Sequence, residues 1–253
     1  MKQFIYHPAN GVAFLLCLFL LTDCTRDIQT TAFEKVEPRY IAHAGGKIDG
    51  FTYTNSLEAV QNAINNGIKF IELDLALTED SVLVCAHDWE VFNHYLLGRK
   101  DYKEPLSFAE FRQCRLLGKY TPMTAQMIVE IWLEHPDLWL VTDKISTPEI
   151  IEKYFTEIKD RMVVECFSYS DYRELSELGY VTYLSGWPPR AENATTEQGG
   201  GKNDRFVFHT GCDLTKYYFD RCALFTCENK VQADSLLRTD RRIDLVYVDD
   251  ITR

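Results

Sequence analysis

The chain has 253 residues, 46% of them hydrophobic, and a formal charge of −11 at neutral pH. That apolar share supports a sizeable core and, with no low-complexity tract, excludes a disordered chain. The acidic balance and the lack of a basic stripe exclude nucleic acid as a partner, and broad adhesion to anionic lipid. An anionic substrate would need a local positive centre.

The first residues stand apart from the fold. Lys2 precedes the apolar run 11–21. That run is shorter than the roughly 20 apolar residues of a spanning helix and resembles the apolar region of a secretory leader. Leu21-Thr22-Asp23-Cys24 resembles a bacterial lipoprotein cleavage box, with Asp23 where a small residue is usual. Residues 1–24 are therefore read as a signal peptide or a lipoprotein leader lipidated at Cys24. An uncleaved anchor reaching back through Phe4 and Ile5 is the rival reading. Residues 25–38 read as a linker and 39–253 as one domain. No second hydrophobic span follows, so membrane contact is expected through the leader only. The domain is expected to be exported, either held at a membrane or secreted, into the periplasm in a bacterium.

Short apolar strands then alternate with amphipathic helices. Strands are expected at 39–43, 69–75, 82–86, 138–143, 161–167, 180–184, 206–209, 223–226 and 244–248. Helices are expected at 56–65, 107–117, 123–134, 148–159, 170–178 and 230–237. In the first of these Leu57, Val60 and Ile64 recur at helical spacing, with Thr54 or Asn55 as cap and Glu58 placed for a capping box. Strand and helix repeated in this order imply a parallel sheet with right-handed crossovers. The length suits a single TIM-type (β/α)8 barrel. Nine strands for eight barrel positions put one outside the ring or make it wrong. The stretch 191–205, with three consecutive glycines, reads as a loop. Cys85 and Cys166 lie in apolar strands and read as buried hydrophobes. Cys212, Cys222 and Cys227 could hold a disulfide in an oxidising compartment.

The reactive residues collect at strand ends. In Phe70-Ile71-Glu72-Leu73-Asp74-Leu75 the period-two rule points both acids to one face. Two carboxylates side by side in apolar text repel, and desolvating them is costly. A divalent cation held by oxygen ligands compensates them most simply. His43 ends the first strand, His87 the third and Asp143 the fourth. In a barrel of parallel strands these ends meet at one face, where active sites lie.

The ordered motifs resemble those of the glycerophosphodiester phosphodiesterase family, within the barrel phosphodiesterases that include phosphatidylinositol-specific phospholipase C. The likeness spans about 39–252. It is carried by His43-Ala44-Gly45, Asn55-Ser56-Leu57-Glu58-Ala59, Glu72-Leu73-Asp74, Leu77-Thr78-Glu79-Asp80 and His87-Asp88. It continues more weakly through Asp143-Lys144, Phe167-Ser168, Leu224-Phe225-Thr226 and Tyr247-Val248-Asp249. The resemblance implies Glu72 and Asp74 as metal ligands, joined by Asp143, and His43 and His87 as the acid–base pair. It also implies one divalent ion, Mg²⁺ or Ca²⁺. The chain departs from the family pattern in three places. Ala44 stands where Arg is usual, and Tyr53-Thr54-Asn55-Ser56 replaces Pro-Glu-Asn-Thr. Asp143-Lys144 replaces Glu-x-Lys, so the two can share the site only if the strand ends or bulges there.

The chemistry follows from these groups. A divalent ion would polarise a phosphoryl oxygen and neutralise developing charge. One histidine would deprotonate the attacking hydroxyl while the other protonates the leaving oxygen, with His43 taken as the base. Water as attacker gives hydrolysis; a neighbouring substrate hydroxyl gives a cyclic phosphate first. Asn55, Lys144 and Trp89 are taken as substrate-binding, with Glu165 as reserve metal ligand and His209 and Trp187 as pocket-rim residues. The expected partner is a small phosphodiester or a lipid head group. The rival of another class is a catalytically reduced barrel acting as a surface binding or scaffold protein, which Ala44 keeps open.

Lipidation at Cys24 predicts incorporation of labelled palmitate that Cys24→Ala abolishes. A full-length Cys24→Ala product that stays in the membrane points to the uncleaved anchor instead.

Overall fold

The computed structural model describes residues 32–186 and 204–252. The leader, Cys24, Trp187 and most of the 191–205 loop lie outside the described residues. Among those described, no helix is long and apolar enough to cross a membrane.

The strands in chain order are β1 (Tyr40–Ala42), β2 (Phe70–Leu77), β3 (Leu83–Cys85), β4 (Trp139–Asp143) and β5 (Met162–Cys166). They continue with β6 (Val181–Ser185), β7 (Arg205–His209), β8 (Arg221–Asn229) and β9 (Ile243–Asp250). All but β3 pair in parallel, side by side, and β9 closes on β1 to complete a TIM-type barrel. The surplus ninth strand is β3. It returns antiparallel along the upper half of β2, with Leu75 opposite Cys85, and stays outside the ring. His87, expected from sequence to end the third barrel strand, therefore follows a strand outside the ring. It reaches the upper face because the hairpin folds back until Ala86 N–H donates to the Asp74 carbonyl at 3.0 Å.

The helices are α1 (Leu57–Asn65), α2 (Phe108–Phe111), α3 (Ala125–Glu134), α4 (Pro148–Phe155), α5 (Tyr169–Glu177) and α6 (Lys230–Thr239). Ser56, rather than Thr54 or Asn55, caps α1 by accepting from Ala59 N–H. Glu58 makes no capping box. Its carboxylate accepts from the Thr121 backbone at 2.8 Å and hydroxyl at 2.9 Å, tying α1 to a distant loop. The helix expected over 107–117 stops after one turn. Leu117 and Gly118 both take left-handed backbone there, and Leu116 pairs with Tyr120 across the turn they form.

The pleat of each strand sorts the interior. Inward positions carry Ile41, Phe70, Trp139, Val141, Val163, Val181, Tyr183, Leu245 and Tyr247, an apolar packing that fills the lower barrel. Continuing upward by twos gives His43, Glu72, Asp74, Asp143, Glu165 and Asp249. The alternate positions Ala42, Ile71, Leu73, Leu140 and Val164 face the helices.

Residues 32–38, expected as part of a linker, close the bottom instead. Phe33 is fully buried, its ring edge-on to Phe70, Trp139 and Tyr183 at 5.4–6.4 Å. The Arg39 guanidinium lies 4.6 Å from the Phe33 ring centroid. Buried Asp244 gathers Arg39 and Arg221 and accepts from the Tyr183 hydroxyl at 2.8 Å. Removing the anion would leave buried Arg39 without its carboxylate partner. Asp244→Ala is expected to lower unfolding free energy by about 3–5 kcal/mol, read by urea denaturation; a loss below about 1 kcal/mol would show that the cluster is solvated.

Candidate active site

The parallel register of β2 and β4 places Asp74 beside Asp143 and Glu72 beside Val141, so three carboxylates face one space. Their ligand atoms all lie within 4.8 Å of one another. Glu72 Oε2 accepts from Ala44 N–H at 2.7 Å, while Glu72 Oε1 is buried with no hydrogen-bond partner. Asp74 Oδ2 accepts from the Asn55 amide at 2.8 Å, and Asp74 N–H donates back to the Asn55 carbonyl oxygen at 3.0 Å. Burial, then the charges of Asp74 and Asp143, hold the Glu72 carboxyl well above its ordinary range. Burial and Asp143 likewise raise Asp74, against the pull of the Asn55 hydrogen bond. An unpaired buried carboxylate oxygen beside two further carboxylates fits a hard divalent cation, which takes oxygen ligands of this kind.

The local backbone is built to serve this cluster. Ala44 has φ 48°, a left-handed conformation that aims its N–H at Glu72. Gly45 follows at φ 83°, and a Cβ there would stand 3.1 Å from Ala59 Cβ, so the turn can press against α1 only as glycine.

Both histidines reach the same face. His43, buried in the turn after β1, contacts Asp249 Oδ1 through Nδ1 at 2.7 Å. His87 contacts Asp88 Oδ2 through Nδ1 at 2.7 Å. An ionised carboxylate only accepts, so each contact assigns the proton to Nδ1 and leaves Nε2 as the lone-pair nitrogen. The Asp88 carboxylate also accepts from Val91 N–H at 2.7 Å, which fixes its own position. His43 lies on the inward pleat that carries Glu72 and Asp74, and both imidazoles meet the same Tyr53 ring, at 4.7 Å and 5.4 Å between centroids.

The remaining sequence-selected residues divide. Strand β4 ends at Asp143, and Lys144 turns left-handed at φ 72°, so the adjacent pair does share the site. Lys144 Nζ lies 3.2 Å from Asp143 Oδ2. Burial opposes its charge, but Asp143, Asp74 and Glu72 outweigh that and hold the ammonium above its usual value. Asn55, expected to touch substrate, uses both ends of its amide on Asp74. Trp89, expected on the substrate side, donates its indole N–H to the Leu77 carbonyl at 3.0 Å and packs against Phe92 and Phe111. The reserve ligand Glu165 is not one of the three clustered acids. It accepts from Tyr247 at 2.9 Å, and burial with the Asp143 charge pushes its carboxyl up to about 7. A cavity of about 300 Å³ opens beside Asp143 and Lys144. Phe167, Phe208 and Phe225 wall it, with Glu165, Ser185 and His209 as polar edges. Cys212, Cys222 and Cys227, considered for a disulfide, are free thiols.

Three residues at this face were not singled out from sequence. Asp249 follows Leu245 and Tyr247 at inward positions, so strand periodicity alone could have found it. Asp88 adjoins a candidate histidine. Tyr53 gave no periodic signal, since it lies on a loop. Its ring stands edge-on to both imidazoles, 4.7 Å from His43 and 5.4 Å from His87 between centroids.

Clustered acids at the strand ends of a TIM barrel, with one histidine after β1 and another brought in by the β3 hairpin, fit a barrel hydrolase of the phosphodiesterase class. Residues 43–181, more than half of the chain, match the glycerophosphoryl diester phosphodiesterase family, and the chain belongs to it. No curated protein matches it. Among solved structures, a glycerophosphoryl diester phosphodiesterase from Parabacteroides distasonis superposes with a TM-score of 0.62 at 16% identity, over 89% of this chain and 88% of that one. A second enzyme so described from the same organism gives 0.61 at 15%, over 83% and 92%. An Oleispira antarctica phosphodiesterase in complex with its product sn-glycerol-3-phosphate gives 0.55 at 19%, over 84% and 93%. These likenesses establish a shared fold.

The raised carboxyls set a pH dependence. Glu72, Asp74 and Glu165 bind protons more tightly folded than unfolded. The metal-free chain is therefore expected to lose stability as pH rises from the ordinary carboxyl value of 4.5 toward about 7. Thermal melts in EDTA read this slope, which Glu72→Gln should flatten. That variant should melt higher without metal, by about 2–4 °C per kcal/mol recovered, and should lose the stabilisation that an added divalent ion gives. A pH slope unchanged by Glu72→Gln would show that the cluster is not strained by charge.

Proposed function

We propose that the protein is a metal-dependent hydrolase of glycerophosphodiesters or of phospholipid-like head groups, with His43 and His87 as its proton-transfer pair. The observation that carries this reading is the convergence of two carboxylate-backed imidazoles on three clustered acids at one barrel face. A hydrolase needs an anion-neutralising centre, a base and an acid within reach of one phosphorus, and this face carries residue types suited to each role. The product named for the Oleispira relative, sn-glycerol-3-phosphate, supports a small glycerol-bearing diester as substrate.

Glu72, Asp74 and Asp143 would hold one Mg²⁺ or Ca²⁺, whose charge would polarise the phosphoryl group. The His43 side chain is only 4% exposed and that of His87 29%. The inner imidazole is assigned to deprotonating the attacking water through the Nε2 lone pair. The outer one is assigned to protonating the leaving alcohol on the solvent side, and for that step it must enter as the imidazolium, with a second proton on Nε2. Asp249 and Asp88 hold each Nδ1–H, which fixes the tautomer and stabilises the imidazolium when it forms. Lys144 supplies positive charge at the edge of the cluster. The aromatic-walled cavity beside it is assigned to the alcohol arm of the substrate. Export through residues 1–24 is part of this reading and would place the enzyme beyond a membrane. The binding-protein alternative draws only on Ala44, whereas the retained acids and histidines support the hydrolase reading.

His43→Ala and His87→Ala should each cost about 10²–10⁴-fold in turnover while leaving divalent-ion affinity unchanged. The double variant should be far less than multiplicatively worse, because the two groups act in one proton cycle. A nitrophenyl diester, which needs little acid assistance, should rescue His87→Ala and not His43→Ala; the opposite rescue reverses the roles. Phosphorus NMR separates hydrolysis from cyclic-phosphate release. A wild type that cleaves no diester with Mg²⁺ or Ca²⁺ supplied would sink the hydrolase reading.

A further inference from the structure

The loop between the two candidate proton-transfer groups takes an unusual path. Its backbone is left-handed at Tyr53, φ 58°, and again at Asn55, φ 48°. Large side chains rarely adopt that conformation, and it persists where the surrounding structure over-determines it, often at functional sites. Asn55 is accounted for by its two hydrogen bonds to Asp74. Tyr53 is not accounted for by packing alone. Its ring stands between the imidazoles, and its hydroxyl has no hydrogen-bond partner among the described residues. The ring meets His43 at 4.7 Å and His87 at 5.4 Å between centroids, which sets the tyrosine at the face where the acidic cluster lies. Burial and then the charges of Asp249, Asp74 and Glu72 oppose a phenolate, so the group remains a neutral O–H donor.

The placement has a stereochemical meaning. In an in-line displacement at phosphorus the entering and leaving oxygens lie on opposite sides, and the negative charge spreads over the oxygens between them. If one imidazole serves the entering oxygen and the other the leaving oxygen, a donor seated between the imidazoles addresses a non-bridging oxygen. Other donors nearby share their bonds with the acids, and Lys144, 3.2 Å from Asp143 Oδ2, keeps N–H groups that can serve the phosphate alongside Tyr53. Ala44 has no side-chain donor and its N–H is given to Glu72; the Asn55 amide pairs with Asp74.

We propose that Tyr53 is a substrate-contacting residue whose hydroxyl donates to a non-bridging oxygen of the phosphodiester, between the two imidazoles. This rests on the phosphodiesterase reading of the same site. The non-bridging oxygens are charged in substrate, transition state and product alike, so the contact acts on binding as well as on turnover.

Tyr53→Phe keeps the ring between the imidazoles and removes only the hydroxyl. With the divalent-ion-loaded protein, its affinity for inorganic phosphate by calorimetry should fall roughly tenfold to a hundredfold, the span for one hydrogen bond to a charged group. Its kcat/KM on a glycerophosphodiester should fall by a similar factor, with the melting temperature unchanged. Tyr53→Ala should add a further loss in kcat, because the imidazoles also lose the ring that separates them. Equal phosphate affinity in wild type and Tyr53→Phe overturns the proposal, whether or not any diester is hydrolysed. So does a wild type that binds no phosphate. A wild type that binds phosphate through the Tyr53 hydroxyl yet cleaves no diester supports this contact and overturns the hydrolase reading alone.

Discussion

Three carboxylates held within 4.8 Å of one another, two of them buried, form the constraint around which the upper barrel is arranged. Burial and neighbouring like charges both raise a carboxyl's proton affinity; at Glu72 and Asp74 burial leads and the adjacent carboxylates add to it. The surrounding chain answers with oriented donors rather than with a buried arginine. Ala44 N–H goes to Glu72, the Asn55 amide to Asp74, and the Lys144 backbone N–H to Asp143 at 2.6 Å. Each donor sits on left-handed backbone. Such conformations cost about 1–2 kcal/mol apiece outside glycine, so stability is given up to keep the charges close. One oxygen, Glu72 Oε1, still has no partner, and a cation is the group that would complete the set.

The same strands that concentrate charge at the top bury apolar surface below. Phe70 and Trp139 lie on the pleat face that carries Glu72, Asp74 and Asp143 one or two steps higher. The core is thus a rigid floor beneath the acids, and Phe33 with the Asp244 cluster seals it from beneath. Rigidity matters because proton transfer and cation binding tolerate little displacement. Asp249 shows the same logic: the strand that supplies Leu245 and Tyr247 to the core delivers the carboxylate that orients His43.

The loops contribute what strands cannot. Strand β3 lies outside the ring, yet its return along β2 brings His87 to the carboxylates. The hairpin register, set where Ala86 N–H meets the Asp74 carbonyl, is what aligns the second imidazole with the first. The segment that follows forms a separate apolar cluster in which Phe92 stacks on Phe111 and Trp89 stands edge-on to both. That cluster explains why Trp89 serves packing and not the cavity.

Periodicity made much of this legible in advance. Alternation along 70–75 put Glu72 and Asp74 on one face, and the strand–helix repeat implied a parallel barrel whose strand ends converge. Ending the fourth strand at Asp143 also followed, because Lys144 could join its neighbour only past the last pleat. Other features depend on contacts between segments far apart in the chain. That β3 runs antiparallel is decided by hairpin pairing, since a short apolar run reads alike in either direction. The linker reading of 32–38 failed because Phe33 finds its partners more than 30 residues on. Glu58, placed for a local cap, is drawn instead to Thr121, 63 positions away. Asn55 and Tyr53 lie on a loop without period, where side-chain direction is set by backbone strain and tertiary neighbours. The residue types and strand faces were determined locally by the two-residue pleat. The pairing of His43 with Asp249, 206 positions away, and the placing of Tyr53 against both imidazoles were decided only when the closed barrel brought those loops together.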